Sequence, residues 1–317
     1  MIRGIACLSV ALFHYTTKYN EVYGHTENWL IQFPYGGDLG VCIFFMLTGY
    51  FFLPSVRRVT NGGGYFINRV TRLYPALWAC LPITCITYYL WQGRYFDFKT
   101  IVTNVAMVSP FAGCDYIDES YWTLPLQLIV YLVFALFYFI AKRKESKFVL
   151  MISSWFFCDC LWLIANQFCG LHTGKYLLIV SYLNIFVLGV LLKYLESNKD
   201  KYKRYAPYIL FLLLYSGHVS LQYMTIVLMA FVGTFVISYW NIKYTKRNLL
   251  AFLGRISYPF YLIHQVVGYS IMNLLETNGI TTEFIILLPI AANFVIAYLI
   301  SRFVEKPIMH YCRNLVN

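Results

Sequence analysis

Ten stretches of mostly apolar residues, with lysine and arginine gathered in alternate linkers between them, constrain this chain more than any other feature. They run over about 3–19, 38–56, 72–92, 122–141, 147–167, 176–194, 206–217, 221–240, 257–276 and 283–303. A backbone surrounded by lipid has two options, the α-helix and the closed barrel. Apolar runs near 20 residues fit the helix, because a rise of about 1.5 Å per residue crosses a roughly 30 Å hydrocarbon layer in that length. The pattern predicts an all-α integral membrane protein with about ten transmembrane helices. The seventh stretch is short for a crossing. The piece from Ile101 to Phe111 is shorter still and is expected to lie along the interface or re-enter. Composition agrees, with 60% apolar and 12% charged residues against about 25% charged in a soluble domain. No long polar stretch interrupts the chain, so residues 1–317 are expected to form one membrane-embedded domain with no soluble one. The first helix lacks the small-residue cleavage site of a signal peptide. Arg3 stands so near the start that a short cytoplasmic leader is expected before it.

Charge orients the helices. With the N-terminus placed inside, the inner loops hold Arg57, Arg58, Arg69 and Arg72, then Lys142 to Lys147, then Lys193 to Arg204, then Lys243 to Arg255. Only Lys18, Arg94, Lys99 and Lys175, of 25 basic residues, fall outside. That asymmetry predicts cytoplasmic N- and C-termini. The net charge of +11 is then mostly a topology device, and no nucleic-acid partner is expected. The outer loops, about 20–37 and 93–121, carry Glu21, Glu27, Asp97, Asp115, Asp118 and Glu119 among many aromatics. This mixture suits a sugar or polyol, and it is equally ordinary for solvated loops. The nine cysteines show no metal-ligand spacing, so no metal is expected. Most read as small packing residues, and a disulfide between Cys114 and Cys169 is one option.

Several residues could carry chemistry. Arg3 and His14 share one apolar stretch, eleven residues apart. At 100° each that is three turns plus about 20°, so both face one way, with His14 roughly 16 Å further along. An ionisable group near the middle of a membrane marks a functional site; a core histidine above an anchoring arginine fits the same spacing. Arg69 and Arg72 lie on one helix face and suit phosphate, or serve as inner-surface anchors. Pro75, just beyond, is expected to break or kink the helix. Gly36-Gly37-Asp38-Leu39-Gly40 leads into Thr48-Gly49, a small hydrogen-bonding surface for close helix packing. Trp122 reads as an interface anchor. Gln127 lies about one and a half turns deeper and needs partners. Ser257-Tyr258-Pro259 reads as a helix start, which sets His264 about nine residues past Arg255, near the depth of His14. Glu305 closes the tenth stretch, beside basic neighbours.

In this order, the motifs resemble acyltransferase family 3, membrane O-acyltransferases that modify surface polysaccharides and other acceptors. Arg3 with His14 is similar to the family's opening arginine, ten residues and histidine. Gly37 through Tyr50 resembles its glycine-rich run into Phe-Phe-x-Leu-Ser-Gly-Phe, Arg69 to Pro75 its Arg-x-x-Arg with Tyr-Pro, and Trp122 to Gln127 its Trp-Ser-Leu-x-x-Glu. Ser257 to His264 resembles Ser-Tyr-x-x-Tyr-Leu-x-His, and Glu305-Lys306-Pro307 its final Glu-Arg-Pro. Thr48 stands where the family usually has serine, and Gln127 where it usually has glutamate. The second departure puts a base or charge-pairing role at position 127 in doubt.

The resemblance implies a multi-pass enzyme of the plasma membrane, the inner membrane in bacteria. It would move an acetyl group from cytoplasmic acetyl-CoA to a hydroxyl of a surface glycan or its lipid-linked precursor. It also implies that Arg69 and Arg72 hold donor phosphates and that His14 acts on the acceptor hydroxyl as base or acyl carrier. Arg3 would assist from below, with Thr48, Trp122, Gln127, His264 and Glu305 in support. Partners would be a carbohydrate or glycolipid acceptor and membrane lipids. The competing expectation is a transporter or flippase of a lipid-linked glycan, which needs midplane polar residues but no inner arginine pair.

Overall fold

The structure, a computed structural model, describes residues 1–24, 31–169, 178–239 and 249–316. Its helices are α1 (Ile2–Phe13), α2 (Tyr19–Tyr23), α3 (Gly36–Tyr50), α4 (Phe52–Val56), α5 (Gly62–Gln92), α6 (Phe98–Val105) and α7 (Thr123–Ile140). They continue with α8 (Glu145–Cys169), α9 (Leu178–Glu196), α10 (Tyr202–Tyr215), α11 (Leu221–Tyr239), α12 (Leu249–Thr277), α13 (Leu287–Ile300) and α14 (Lys306–Val316). Single π turns, His14–Lys18 and Ser301–Glu305, follow α1 and α13. No strand occurs among the described residues.

The described residues of each apolar stretch are helical, but for turns at Phe51 and Ala141. Three helical segments are long and apolar enough to cross a membrane, Gly62–Gln92, Glu119–Ile140 and Glu283–Cys312, and Gly36–Tyr50 and Leu221–Val236 are shorter apolar helices. The chain is therefore an all-helical membrane protein. The seventh stretch is α10, whose 14 residues span about 21 Å at 1.5 Å each, short of the hydrocarbon layer. The piece from Ile101 contributes to α6, which Asp97 caps by accepting the Thr100 N–H at 3.2 Å, and then turns at Ser109–Ala112. The side chain of Cys169 lies outside the described residues.

A helix start at Ser257 and a break at Pro75 are both absent. α5 runs through Pro75 and Pro82 without a break, and α12 begins at Leu249 and runs through Pro259 rather than starting at Ser257. A proline inside a helix deletes one N–H and crowds the carbonyl four residues back. Membrane helices tolerate this where neighbours satisfy the backbone. Close to these prolines Tyr258 Oη donates to the Leu73 carbonyl at 3.0 Å and Ser257 Oγ to the Gly254 carbonyl at 3.1 Å, while the carbonyls that lose a helical N–H to Pro75 and Pro259 are those of Thr71 and Arg255.

The chain forms two compact units. Unit 1 comprises Met1–Val41, Ile67–Pro125 and Tyr244–Asn317. In it α1 packs on α12, and α12 on α13. The approach of the glycine-rich run to α1 depends on Gly40: a Cβ there would lie 2.6 Å from the Ala6 carbonyl oxygen. Unit 2 comprises Cys42–Phe66 and Leu126–Lys243. Its core includes Phe52, stacked on Phe148 at 5.1 Å and edge-on to Phe134 at 5.4 Å. Gly49 and Gly189 face each other across α3 and α9, since a Cβ on either would lie 2.0 Å from a backbone oxygen of the other helix. Such small-residue contacts let membrane helices gain packing energy that lipid does not supply.

Candidate active site

His14 opens the π turn that ends α1, so its carbonyl accepts the Tyr19 N–H five residues on. Single π turns inside helices often mark functional sites. The side chain of His14 meets His264 of α12: His264 Nε2 lies 3.3 Å from His14 Nδ1, and the rings meet edge to face at 4.8 Å. The two histidines expected at one depth are thus in direct contact.

Carbonyl oxygens dictate the tautomers. His264 Nδ1 sits 2.7 Å from the Tyr261 carbonyl, and His14 Nδ1 sits 2.9 Å from the Val10 carbonyl. A carbonyl only accepts, so each Nδ1 carries the proton in the neutral ring. His264 Nε2 is then an acceptor and shares the His14 Nδ1–H. The unprotonated nitrogen of His14 is Nε2, with no hydrogen-bond partner among the described residues. His264 is fully buried and His14 half-buried. The pair therefore consists of an enclosed orienting histidine and a more accessible one with a bare lone pair.

A buried clamp holds this arrangement. Tyr15 Oη donates to the His264 carbonyl at 2.7 Å, and Asn293 Nδ2 of α13 donates to Tyr15 Oη at 2.8 Å. The clamp ties α1, α12 and α13 together at the histidine. It depends on Gly268, where a Cβ would lie 2.2 Å from Tyr15 Cε1 and 2.5 Å from its hydroxyl. Sequence reasoning missed Tyr15 and Asn293. A lone asparagine inside an otherwise apolar α13 was the available signal, because a buried amide needs partners.

The charged residues gather elsewhere in unit 1. Glu305, at the end of the second π turn, feels the charges of Arg72, Lys306 and Arg3. Three cations around one carboxylate leave an excess of positive charge. Arg69 lies one turn before Arg72 on α5 and is 7% exposed. Along α1, Arg3 and His14 are eleven residues apart, about 16 Å at helical rise. The cationic cluster and the histidine pair thus lie at opposite ends of one helix.

Trp122 ends a single 3-10 turn, Glu119–Trp122, ahead of α7. Asp118 caps this turn by accepting the Ser120 N–H at 2.8 Å. Burial pushes the Asp118 carboxyl up to about 6. The turn is held to α12, because Tyr261 Oη donates to the Ser120 carbonyl at 2.9 Å.

Thr48 and Gln127 belong to unit 2 and pair with each other. Gln127 Nε2 donates to Thr48 Oγ1 at 2.8 Å, while Thr48 Oγ1 donates to the Phe44 carbonyl at 2.9 Å. This suits an amide better than a carboxylate: the threonine proton is already committed, so the hydroxyl can only accept from position 127. Gln127→Glu is expected to lose about 1–3 kcal/mol by setting two acceptors face to face. Thermal unfolding in detergent checks this, and an unchanged midpoint would contradict it. Among the described residues, no group of three or more His, Cys, Asp or Glu could hold a metal ion.

An all-helical membrane protein with an oriented histidine and a separate cationic cluster defines a class that sequence comparison then specifies. The Acyltransferase domain family matches residues 1–302, and the chain belongs to that family, acyltransferase family 3. A relative named "O-acetyl transferase" from Shigella phage Sf6 is 27% identical over 46% of this chain and 48% of its own length. A relative named "Putative O-acetyltransferase" from Staphylococcus aureus (strain COL) is 23% identical over 96% of this chain and 56% of its own length. The chain spans about half the length of the curated relatives it matches. No solved structure matches it.

Proposed function

We propose that this protein is a membrane O-acyltransferase that moves an acetyl group from cytoplasmic acetyl-CoA to a hydroxyl of a surface glycan or its lipid-linked precursor. The observation that carries the reading is the His14–His264 pair, which leaves His14 Nε2 as a lone pair in a half-buried setting. Family membership and the O-acetyltransferase names of the relatives support the same chemistry. In this reading the chain has about ten crossings with both termini cytoplasmic, in the plasma membrane, as the distribution of basic residues supports.

His14 Nε2 takes the proton of the acceptor hydroxyl as its oxygen attacks the acyl carbonyl. The resulting imidazolium, held through Nδ1 by the Val10 carbonyl and His264 Nε2, returns the proton to the departing thiolate. The proton balance closes on one residue. Arg69, Arg72 and Arg3 fit a phosphate-bearing donor, because their guanidiniums outnumber the nearby carboxylate and form paired bonds to phosphate oxygens. Glu305 keeps that cluster from collapsing by self-repulsion.

The test is transfer of labelled acetyl from acetyl-CoA to envelope glycan in membranes containing the full chain. Arg69→Ala with Arg72→Ala is expected to raise the KM for acetyl-CoA by about 10- to 100-fold, the loss of one or two charge-assisted bonds. A transporter would instead move glycan across the membrane unchanged, with no label transferred and no sensitivity to the arginine pair.

A further inference from the structure

Beside the histidine pair, unit 1 carries a second set of polar groups that the reaction chemistry does not use. Tyr269 of α12 lies 6.3 Å from His14, ring to ring. Its hydroxyl is buried and has no hydrogen-bond partner. The same holds for Gln265 Oε1, one residue past His264, and for Asp118 Oδ2. These residues are 4%, 5% and 0% exposed. They are neighbours: Tyr269 feels the charge of Asp118 and Glu119, and Gln265 Nε2 donates to Glu119 Oε2 at 3.4 Å. Each such atom costs about 1–3 kcal/mol when it stays unpaired, and native proteins hold few of them.

The rim is aromatic. Tyr23 packs against Tyr269 at 5.6 Å and Trp91 at 5.5 Å. The indole is fixed by its Nε1–H, which donates to Asn273 Oδ1 at 3.0 Å. Tyr23 and Glu119 are exposed, so the set runs from surface to buried floor. Its chemistry selects a ligand class. Gln265 Oε1, Asp118 Oδ2 and Glu119 are acceptors and call for several O–H donors. The carboxylates repel phosphate and other anions. The flat faces of Tyr23 and Trp91 suit the apolar face of a ring.

We propose that Tyr23, Trp91, Tyr269, Gln265, Asp118 and Glu119 form the acceptor site, and that it takes a neutral polyol ring, a sugar, with one hydroxyl on the His14 side of Tyr269. The inference rests on the acyl-transfer reading for its purpose, but the binding site stands on its own residues.

Binding of methyl glycosides of glucose, galactose, mannose and rhamnose to the full chain in detergent, read by saturation-transfer NMR, tests it without needing turnover. At least one glycoside is expected to bind wild type. Tyr269→Phe and Gln265→Leu are each expected to weaken binding by about tenfold or more. Glu119→Gln, at an exposed position that does not threaten folding, is expected to weaken it several-fold. No glycoside binding, equal binding by all three variants, or preferential binding of choline as a cation probe for an aromatic cage, would each overturn the proposal. Glycoside binding that obeys the variants in a chain that never turns over acetyl-CoA would instead overturn the acyl-transfer reading and leave the sugar site standing.

Discussion

His14→Ala is expected to lower acetyl transfer by about 10²- to 10⁴-fold, the range that a positioned general base supplies. The protein should still insert and elute as wild type, because His14 is half-buried and its hydrogen bonds, to the Val10 carbonyl and His264, leave partners that are themselves held by other contacts. The pH profile carries the sharper reading. In wild type the rate should fall on the acid side as the imidazole protonates, and that limb should be missing from the residual activity of His14→Ala. His264→Phe keeps the stack on Phe260, which lies 6.2 Å away at 11°, but removes the acceptor for His14 Nδ1–H. Its loss should be smaller, since the Val10 carbonyl still fixes the tautomer. An acyl carrier would behave differently. Rapid quenching of wild type with labelled acetyl-CoA and no acceptor would trap labelled protein, whereas a base traps none.

The second large effect is expected at a residue that itself touches no reacting group. Gly268→Ala puts a methyl group 2.2 Å from Tyr15 Cε1, deep inside van der Waals contact. Either α12 moves away from α1 or Tyr15 leaves its place. Both outcomes break the Tyr15 bond to the His264 carbonyl and displace the orienting histidine. Overpacking of this kind costs about 1–3 kcal/mol, and a misplacement near 1 Å at the site costs about 100-fold in rate. The thermal midpoint and kcat should fall together. Tyr15→Leu relieves the crowding, so the double variant should recover more stability than the two single losses predict. Additivity between the two positions would show that Gly268 does not support the clamp.

Much of this was legible before any coordinates. Helix positions followed from apolar run length, because lipid leaves the backbone few alternatives. The contact between His14 and His264 was foreshadowed by two distances counted along separate helices from basic ends. What the sequence concealed has physical causes. The helix start read at Ser257-Tyr258-Pro259 fails because packing of α12 on α1 outweighs one lost hydrogen bond, and α5 likewise runs on through Pro75. Tyr15 and Asn293 were invisible as a clamp, since they are 278 residues apart and no periodicity links them. The partnership of Thr48 with Gln127 also needed the fold. It gives the departure from the family's glutamate a local cause, a hydroxyl whose proton is already spent on the Phe44 carbonyl.

The most direct test of the central claim is mass analysis of envelope glycans from cells carrying the wild-type chain, the His14→Ala chain or none. Acyl transfer through His14 predicts acetyl esters on a glycan from the wild-type cells, and glycans from His14→Ala cells that match those lacking the protein. Acetyl esters at the wild-type level in His14→Ala cells would contradict it.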